Sequence, residues 1–379
     1  MQFPDFPEPI ETAELRAFRV EVRAFAAREG PPGKSYAYLG GADQEFSRKL
    51  GRRGWIGMCW PREYGGSERT MLERAVLAEE MLAARAPLAF HWIADRQAGP
   101  LLLKYGTEAQ RRLILPRIAA GECRFCIGMS EPDSGSDLAS VRTKADPVPG
   151  GFRLTGTKLW TSNAHESDYM IVLCRTSART ERRHEGLSQL LVDLHQPGIE
   201  CRQIEDMAGE RDFNEVVFDD VFIPSTMLLG CEGQGWEQVG SELAYERSGP
   251  ERFMSSYGLL VEMIDLLGRQ VGERHAIAIG RLVAHLATVR RLSRSVAAML
   301  HTGSLPAAQA AMVKDLGTNL EQEIGDVVRS IASTEPDPGA GDRFAASLAQ
   351  IMIRAPSFTL RGGTREVLRG IIAREIGVR

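Results

Sequence analysis

The chain has no excess of basic residues: 46 Lys and Arg stand against 50 Asp and Glu, for a net charge of -4. This balance argues against a nucleic-acid binder, which needs a basic face. No apolar run reaches the ~18 residues expected of a membrane-spanning helix. The first twenty residues hold Asp5, Glu8, Glu11 and Glu14 and lack the basic start and apolar middle of a secretory signal, so a cytoplasmic location is expected. The six cysteines, at positions 59, 123, 126, 174, 201 and 231, are too scattered for a disulfide framework in a chain of this size. Cys123 and Cys126 form a lone C-x-x-C pair with no second pair and no histidine cluster, which favours buried thiols on a strand over zinc or redox chemistry. The histidines show no His-Glu-x-x-His spacing, no metal site is expected, and His165 and His184 read as loop residues. No G-x-G-x-x-G follows a strand, so a Rossmann dinucleotide site has no support. There is no internal repeat and no low-complexity tract.

What remains is room for two or three domains and three regions of different periodicity. From Glu11 to Gly121 the spacing is helical: Leu15, Phe18, Val22 and Phe25 recur every three or four residues. Pro31-Pro32-Gly33 breaks that pattern. Helical spacing resumes around Phe46 and Leu50, from Met71 to Ala84, from Ala98 to Tyr105 and from Glu108 to Ala120. In the middle third Phe152 and Leu154, then Tyr169, Ile171 and Leu173, then Val217, Asp219 and Val221 follow a two-residue period, separated by turn signals at Pro149-Gly150-Gly151 and Pro197-Gly198. A helical stripe returns in Leu282, Leu286, Val289, Leu292, Val296 and Met299. Pro306 suits the first turn of the next helix, and Glu335 to Asp342 reads as a Pro/Gly loop. The expected division is a helical domain over 1–122, a β domain over 123–235 and a helical domain over 236–379. The Gly230 to Gly235 segment links the last two. Periodicity alone supports only a mixed α+β enzyme.

Two motifs narrow this. Ile127 to Ser136 reads Ile-Gly-Met-Ser-Glu-Pro-Asp-Ser-Gly-Ser, followed by Asp137, and Lys158 to Asn163 reads Lys-Leu-Trp-Thr-Ser-Asn. Taken singly, Ser130, Ser136 and Ser162 are ordinary turn or strand-end polarity. Together and at this spacing, the motifs resemble the flavin-binding signatures of the acyl-CoA dehydrogenase family, and the resemblance runs from Gly54-Trp55 to Arg374. It implies the family's fold, an N-terminal helical domain, a middle β domain and a C-terminal helical bundle. It also implies FAD, with Ile127, Met129 and Ser130 along the flavin ring, Trp160 covering it beside Thr161, and the Ser162 hydroxyl directed at flavin N5 where the family usually has Thr. Ser136 is implied near both cofactor and acyl carrier.

Removing a proton from the carbon beside a thioester needs a well-placed carboxylate in a dry pocket. Most family members carry it in a Tyr-Glu-Gly-Thr segment near the C-terminus, but the matching residues here are Arg361-Gly362-Gly363-Thr364, and the expected Glu is Gly362. The isovaleryl-CoA and long-chain branches place the base on an earlier helix in a Glu-Arg pair, which Glu246-Arg247 matches. An arbitrary Glu-Arg pair is usually solvated surface; the vacant late position favours Glu246 as the base. Gly362 then leaves room for substrate, and its N-H can hold the thioester oxygen. Tyr245, Arg247 and Gly363 are implied around the substrate, and Thr364, a candidate helix N-cap, touches FAD with Glu366. The final helix is expected to bury Val367, Leu368, Ile371 and Ile372.

Two departures concern the far end of the cofactor. The family's Arg-x-x-Phe-Gly, whose Arg reaches the FAD pyrophosphate of a neighbouring subunit, reads Ala276-Ile277-Ala278-Ile279-Gly280. Arg274 and Arg281 are the nearest replacements, neither in register. The family's Gln-x-Phe-Gly-Gly-x-Gly segment is shortened to Gln350 through Ser357. The resemblance implies oxidation of an acyl-CoA to its trans-2-enoyl form, with electrons passed to an electron-transfer flavoprotein, in a homo-oligomer, a dimer or tetramer. A flavin oxidase or monooxygenase on the same fold, and a subunit that completes a partner's FAD site in a heteromer, are the alternatives.

Overall fold

The computed structural model describes residues 4–30, 38–269 and 271–378, with the side chains at 38 and 243–246 outside the described set. The Pro31-Pro32-Gly33 break lies outside the described residues. The chain folds into two compact units, each discontinuous in sequence: Met1–Phe46, Arg69–Ala89 and Ala244–Arg379 form one, Ser47–Glu68 and Phe90–Leu243 the other. The expected helix, sheet, helix order is present along the chain. No described helix is long and apolar enough to cross a membrane.

The first unit is helical. Helix α1 (Ala13–Glu29) starts where the Thr12 hydroxyl accepts the Leu15 N-H and buries Leu15, Phe18, Val22 and Phe25, the stripe seen in the sequence. Helix α2 (Gln44–Arg52) runs across the division between the units. Helix α3 (Met71–Ala83) opens on a capping box between Thr70 and Glu73. Buried Glu79 and Glu80 of α3 take Arg19 and Arg23 of α1 and Arg290 of a later helix, joining three helices through charge. That later helix, α9 (Glu273–His301), packs with α8 (Tyr257–Leu267), α10 (Ala307–Ile331) and α11 (Arg343–Phe358) around Leu282, Val289, Val296, Val313, Leu320, Ile324 and Leu348. Pro306 is the N-cap of α10 rather than a residue of its first turn. The last helix, α12 (Arg365–Glu375), fully buries only Leu368; Val367 is exposed and Ile371 and Ile372 are half-buried, so the expected four-residue face is narrower than its sequence suggests.

The second unit holds short helices and a seven-stranded sheet. Helix α4 (Ala89–Ile93) runs into a π-helical turn, Ala94–Ala98, and on into α5 (Gly99–Tyr105); α6 (Glu108–Ala119) has its own capping box between Thr107 and Gln110. The sequence reading missed α4 and the π turn. The strands are β1 (Phe125–Gly128), β2 (Lys144–Val148), β3 (Gly151–Ser162), β4 (Tyr169–Arg175), β5 (Leu187–Asp193), β6 (Ile199–Ile204) and β7 (Phe213–Pro224), in the order β1-β4-β2-β3-β7-β6, with β5 also on β4. Because β5 pairs β4 along its whole length, β1 and β2 share the other edge.

Two strand readings change. In β4 the intervening residues Met170, Val172 and Cys174 are as buried as Ile171 and Leu173. The even residues enter one core and Leu173 another, so the strand is central and covered on both faces. In β7 the buried set is Val216, Phe218, Val221 and Ile223, while Val217 is only half-buried and Asp219 exposed. A left-handed residue at Asp220 shifts the alternation by one position there. Helix α7 (Gly235–Glu246) follows the Gly230 to Gly235 link, and the division between the units falls within it.

Candidate active site

The first motif leaves β1 at Gly128, where the Cβ of any other residue would lie 2.0 Å from the Met170 methyl and 3.1 Å from Cγ of Lys158. Ile127 is half-buried on that strand, and Met129 and Ser130 follow it, also half-buried. Mutual backbone bonds between Glu131 and Ser134, of 2.8 and 3.1 Å, then close a tight turn. Ser136 is exposed on the loop beyond.

The second motif is the end of β3, and it is irregular. The β3/β7 register slips between Lys158 and Thr161, and Trp160 at the slip has φ +59°, a left-handed conformation costly for an aromatic residue. This bulge re-aims the strand. It leaves the Trp160 indole 57% exposed, held edge-on by Phe213 with ring centroids 6.1 Å apart. Next to it Thr161 is buried, and its hydroxyl has no hydrogen-bond partner among the described residues. Ser162 is half-buried.

The two motifs are fastened by charge, which the sequence reading did not single out. Lys158 is fully buried and donates to the Met129 carbonyl at 3.0 Å and to Glu131 Oε1 at 2.8 Å. Glu131 also accepts the Arg142 and Thr143 amides at 2.6 and 2.9 Å, and Leu159 N-H donates to the Ser130 carbonyl at 2.9 Å. Burial pushes the Glu131 carboxyl upward, but Lys158 and its hydrogen bonds outweigh this and hold it below the usual carboxylate range. Burial lowers the Lys158 ammonium against the pull of Glu131. These directions oppose each other. The two amides converging on Glu131 need an acceptor on each carboxyl oxygen, which favours the ionised pair. The signal in the sequence was a lysine inside one motif and a glutamate inside the other.

An exposed indole on a strained bulge, beside a buried hydroxyl with no partner, suits a flat aromatic ligand carrying polar ring atoms. The residues of this segment therefore fit a flavin ring.

In the helical unit, Tyr245 and Glu246 are the last residues of α7; their side chains lie outside the described residues. Arg247 follows, buried, and its Nε donates to the Gly362 carbonyl at 3.2 Å. Gly362 and Gly363 have φ of +68° and +99°, and a Cβ at Gly363 would come within 3.3 Å of Arg247 Nη2. Thr364 is the N-cap of α12, accepting from Val367 N-H, as expected. Glu366 is exposed; a hydrogen bond to its own backbone N-H and one to the Thr364 hydroxyl hold its carboxyl below the ordinary range.

This turn is anchored by a pair that the sequence reading also missed. Arg361 Nη2 reaches Glu321 of α10 at 2.9 and 3.1 Å and Ser255 Oγ at 2.6 Å. Glu321 is wholly buried and also accepts the Ser255 amide at 2.9 Å.

At the position of the family's pyrophosphate arginine, Ala276 to Gly280 lie near the start of α9 with Ile277 half exposed. Arg274 Nη2 donates to the Ser330 carbonyl at 3.3 Å, and Arg281 is exposed. Gln350 to Ser357 continue α11 as helix. Cys126 lies on β1 as expected, whereas Cys123 precedes that strand; both are buried, and burial raises both thiols, Cys123 to about 12.

The chain matches the acyl-CoA dehydrogenase models in three consecutive stretches: N-terminal domain over residues 12–122, middle domain over 126–221 and C-terminal domain over 233–377. It is 32% identical over 386 residues to the acyl-CoA dehydrogenase IpdE1 of Mycobacterium tuberculosis, with 96% of this chain and 97% of that protein covered. The mitochondrial long-chain specific acyl-CoA dehydrogenase of Mus musculus is 27% identical, over 97% of this chain and 87% of that one. Among solved structures, the Tcur3481-Tcur3483 steroid ACAD matches with a TM-score of 0.86 at 27% identity, covering 99% of both chains. With all three domain models in order and a relative above 30% identity over nearly its full length, this chain belongs to the acyl-CoA dehydrogenase family and is an FAD-dependent oxidoreductase.

Proposed function

We propose that the protein oxidises an acyl-CoA thioester to the trans-2-enoyl thioester, with Glu246 as the base that takes the α-proton. FAD, when bound, supplies the acceptor for the β-hydride. The reading divides the chain at 1–122, 123–235 and 236–379. Ile127, Met129, Ser130, Trp160 and Thr161 hold the ring, and the Ser162 hydroxyl donates to it. Thr364 and Glu366 contact the rest of the cofactor. Ser136, Tyr245, Arg247 and Gly363 bind the thioester and its carrier.

One observation carries the choice of base. The Arg247 Nε to Gly362 carbonyl bond, 3.2 Å long, ties the residue after Glu246 to the turn where most family members keep their Glu. A carboxylate at the end of α7 is thereby next in sequence to a residue fastened to the vacated position. Two positive-φ glycines keep that turn free of side chains, and the Gly362 N-H is the donor assigned to the thioester oxygen as charge develops. An electron-transfer flavoprotein is the proposed electron acceptor.

The test is Glu246→Gln, which retains size and much of the hydrogen bonding but not the base. FAD and acyl-CoA binding should persist, while anaerobic flavin bleaching by the best substrate of an acyl-CoA panel falls by at least ~100-fold. Bleaching at the wild-type rate moves the base elsewhere.

A second reading rests on Ile277, half exposed at the segment where the family carries Arg-x-x-Phe-Gly. In it a different partner subunit supplies the missing arginine, and the chain works in a heteromer. Colourless protein that FAD cannot reconstitute when the chain is expressed alone favours this reading; yellow, oligomeric protein favours the first.

A further inference from the structure

We propose that the buried Lys158–Glu131 pair is a positioning device that assembles the flavin-ring cradle before FAD arrives. This rests on the reading that Met129, Ser130 and Trp160 to Ser162 hold the ring.

Between Gly128 and Ser136 the first motif forms no helix or strand, only the Glu131–Ser134 turn, so its backbone needs an external anchor. Three bonds join it to β3: Lys158 Nζ to the Met129 carbonyl at 3.0 Å, Lys158 Nζ to Glu131 Oε1 at 2.8 Å, and Leu159 N to the Ser130 carbonyl at 2.9 Å. Each of the consecutive residues 129, 130 and 131 is thus tied to 158 or 159, directly before the Trp160 bulge. Glu131 extends the anchor to Arg142 and Thr143 through their amides. Gly128 makes the approach feasible, since a Cβ there would press on the Lys158 stem at 3.1 Å. A fully buried ion pair adds little net stability over apolar residues of the same volume, because desolvating two charges offsets their attraction. What it adds here is a fixed geometry, with a lysine aimed at one backbone carbonyl. Neither side chain touches the reacting atoms in this assignment; both act through the backbone of residues 129 to 131.

The experiment compares Lys158→Met, Glu131→Gln and the double variant by melting temperature, FAD dissociation constant and the visible spectrum of bound flavin. Each single variant leaves a buried charge alone and should be the less stable. The double variant holds no unpaired charge and should melt above either single variant, though below the wild type because Gln offers one acceptor oxygen to the two amides of Arg142 and Thr143. It should bind FAD at least tenfold more weakly with a shifted spectrum, because the Met129 carbonyl has lost its tether. Wild-type FAD affinity and spectrum in a well-folded double variant would reduce the pair to packing and overturn the proposal. If these variants do not fold, amide exchange on wild-type protein stripped of FAD decides: protected Arg142, Thr143 and Leu159 amides support a preassembled cradle, and exchange at the unprotected rate overturns it. Trp160→Ala serves as the control for the underlying reading, for if it leaves FAD affinity unchanged, the cradle itself is misassigned.

Discussion

Replacing Arg361 by Met should destabilise the helical unit more than its partly exposed position suggests. The reason is what it leaves behind. Glu321 is wholly buried, and Arg361 supplies two of its hydrogen bonds, at 2.9 and 3.1 Å, while the Ser255 amide supplies a third at 2.9 Å. Removing one partner of such a pair costs about 3–5 kcal/mol, since the remaining carboxylate is stranded in an apolar interior. The Arg361 guanidinium also lies 4.8 Å from the Phe358 ring centroid, a contact worth roughly 0.5–1 kcal/mol at an accessible site. At about 2–4 °C per kcal/mol for a cooperative unit of 150–250 residues, Arg361→Met is expected to melt about 6–20 °C lower. The assay is thermal unfolding followed by intrinsic fluorescence and calorimetry, because a chain with two units and a cofactor need not unfold in one step. Adding Glu321→Gln should return most of the loss, since a neutral amide tolerates the vacancy far better than a carboxylate. A shift below 2 °C in the single variant, or no recovery in the double, would refute the argument that Glu321 is the stranded charge.

The remaining predictions test the flavin motif and the thiols. Ser162→Ala should slow flavin reduction by about 2- to 12-fold, the loss of one neutral hydrogen bond, without lowering the melting temperature; an unchanged rate and flavin spectrum removes Ser162 from N5. Iodoacetamide at pH 8 should label exposed Cys231 first, because burial pushes the Cys123 and Cys174 thiols up to about 12 and also raises Cys126. Equal labelling of these three in native protein, read by peptide mass mapping, would contradict their burial.

The sequence by itself determined the long amphipathic helices and the Thr364 cap. An amphipathic stripe such as Leu15, Phe18, Val22 and Phe25 is a local periodicity, and a cap such as Thr364 acts within one helical turn. Both are written in neighbouring residues. The two motifs that carry the family resemblance were legible for the same reason, as short contiguous strings. Strand burial was not. The alternation in β4 hid a strand covered on both faces, and the one-residue shift in β7 came from a left-handed Asp220; both depend on which strands and layers lie beside them. The charged anchors were least legible. Lys158 and Glu131 are separated by 27 residues and Arg361 and Glu321 by 40, and each alone reads as a solvated surface charge. Only the tertiary structure decided that these charges are buried and paired, because burial and pairing across such separations follow from how strands and helices stack, not from any local pattern.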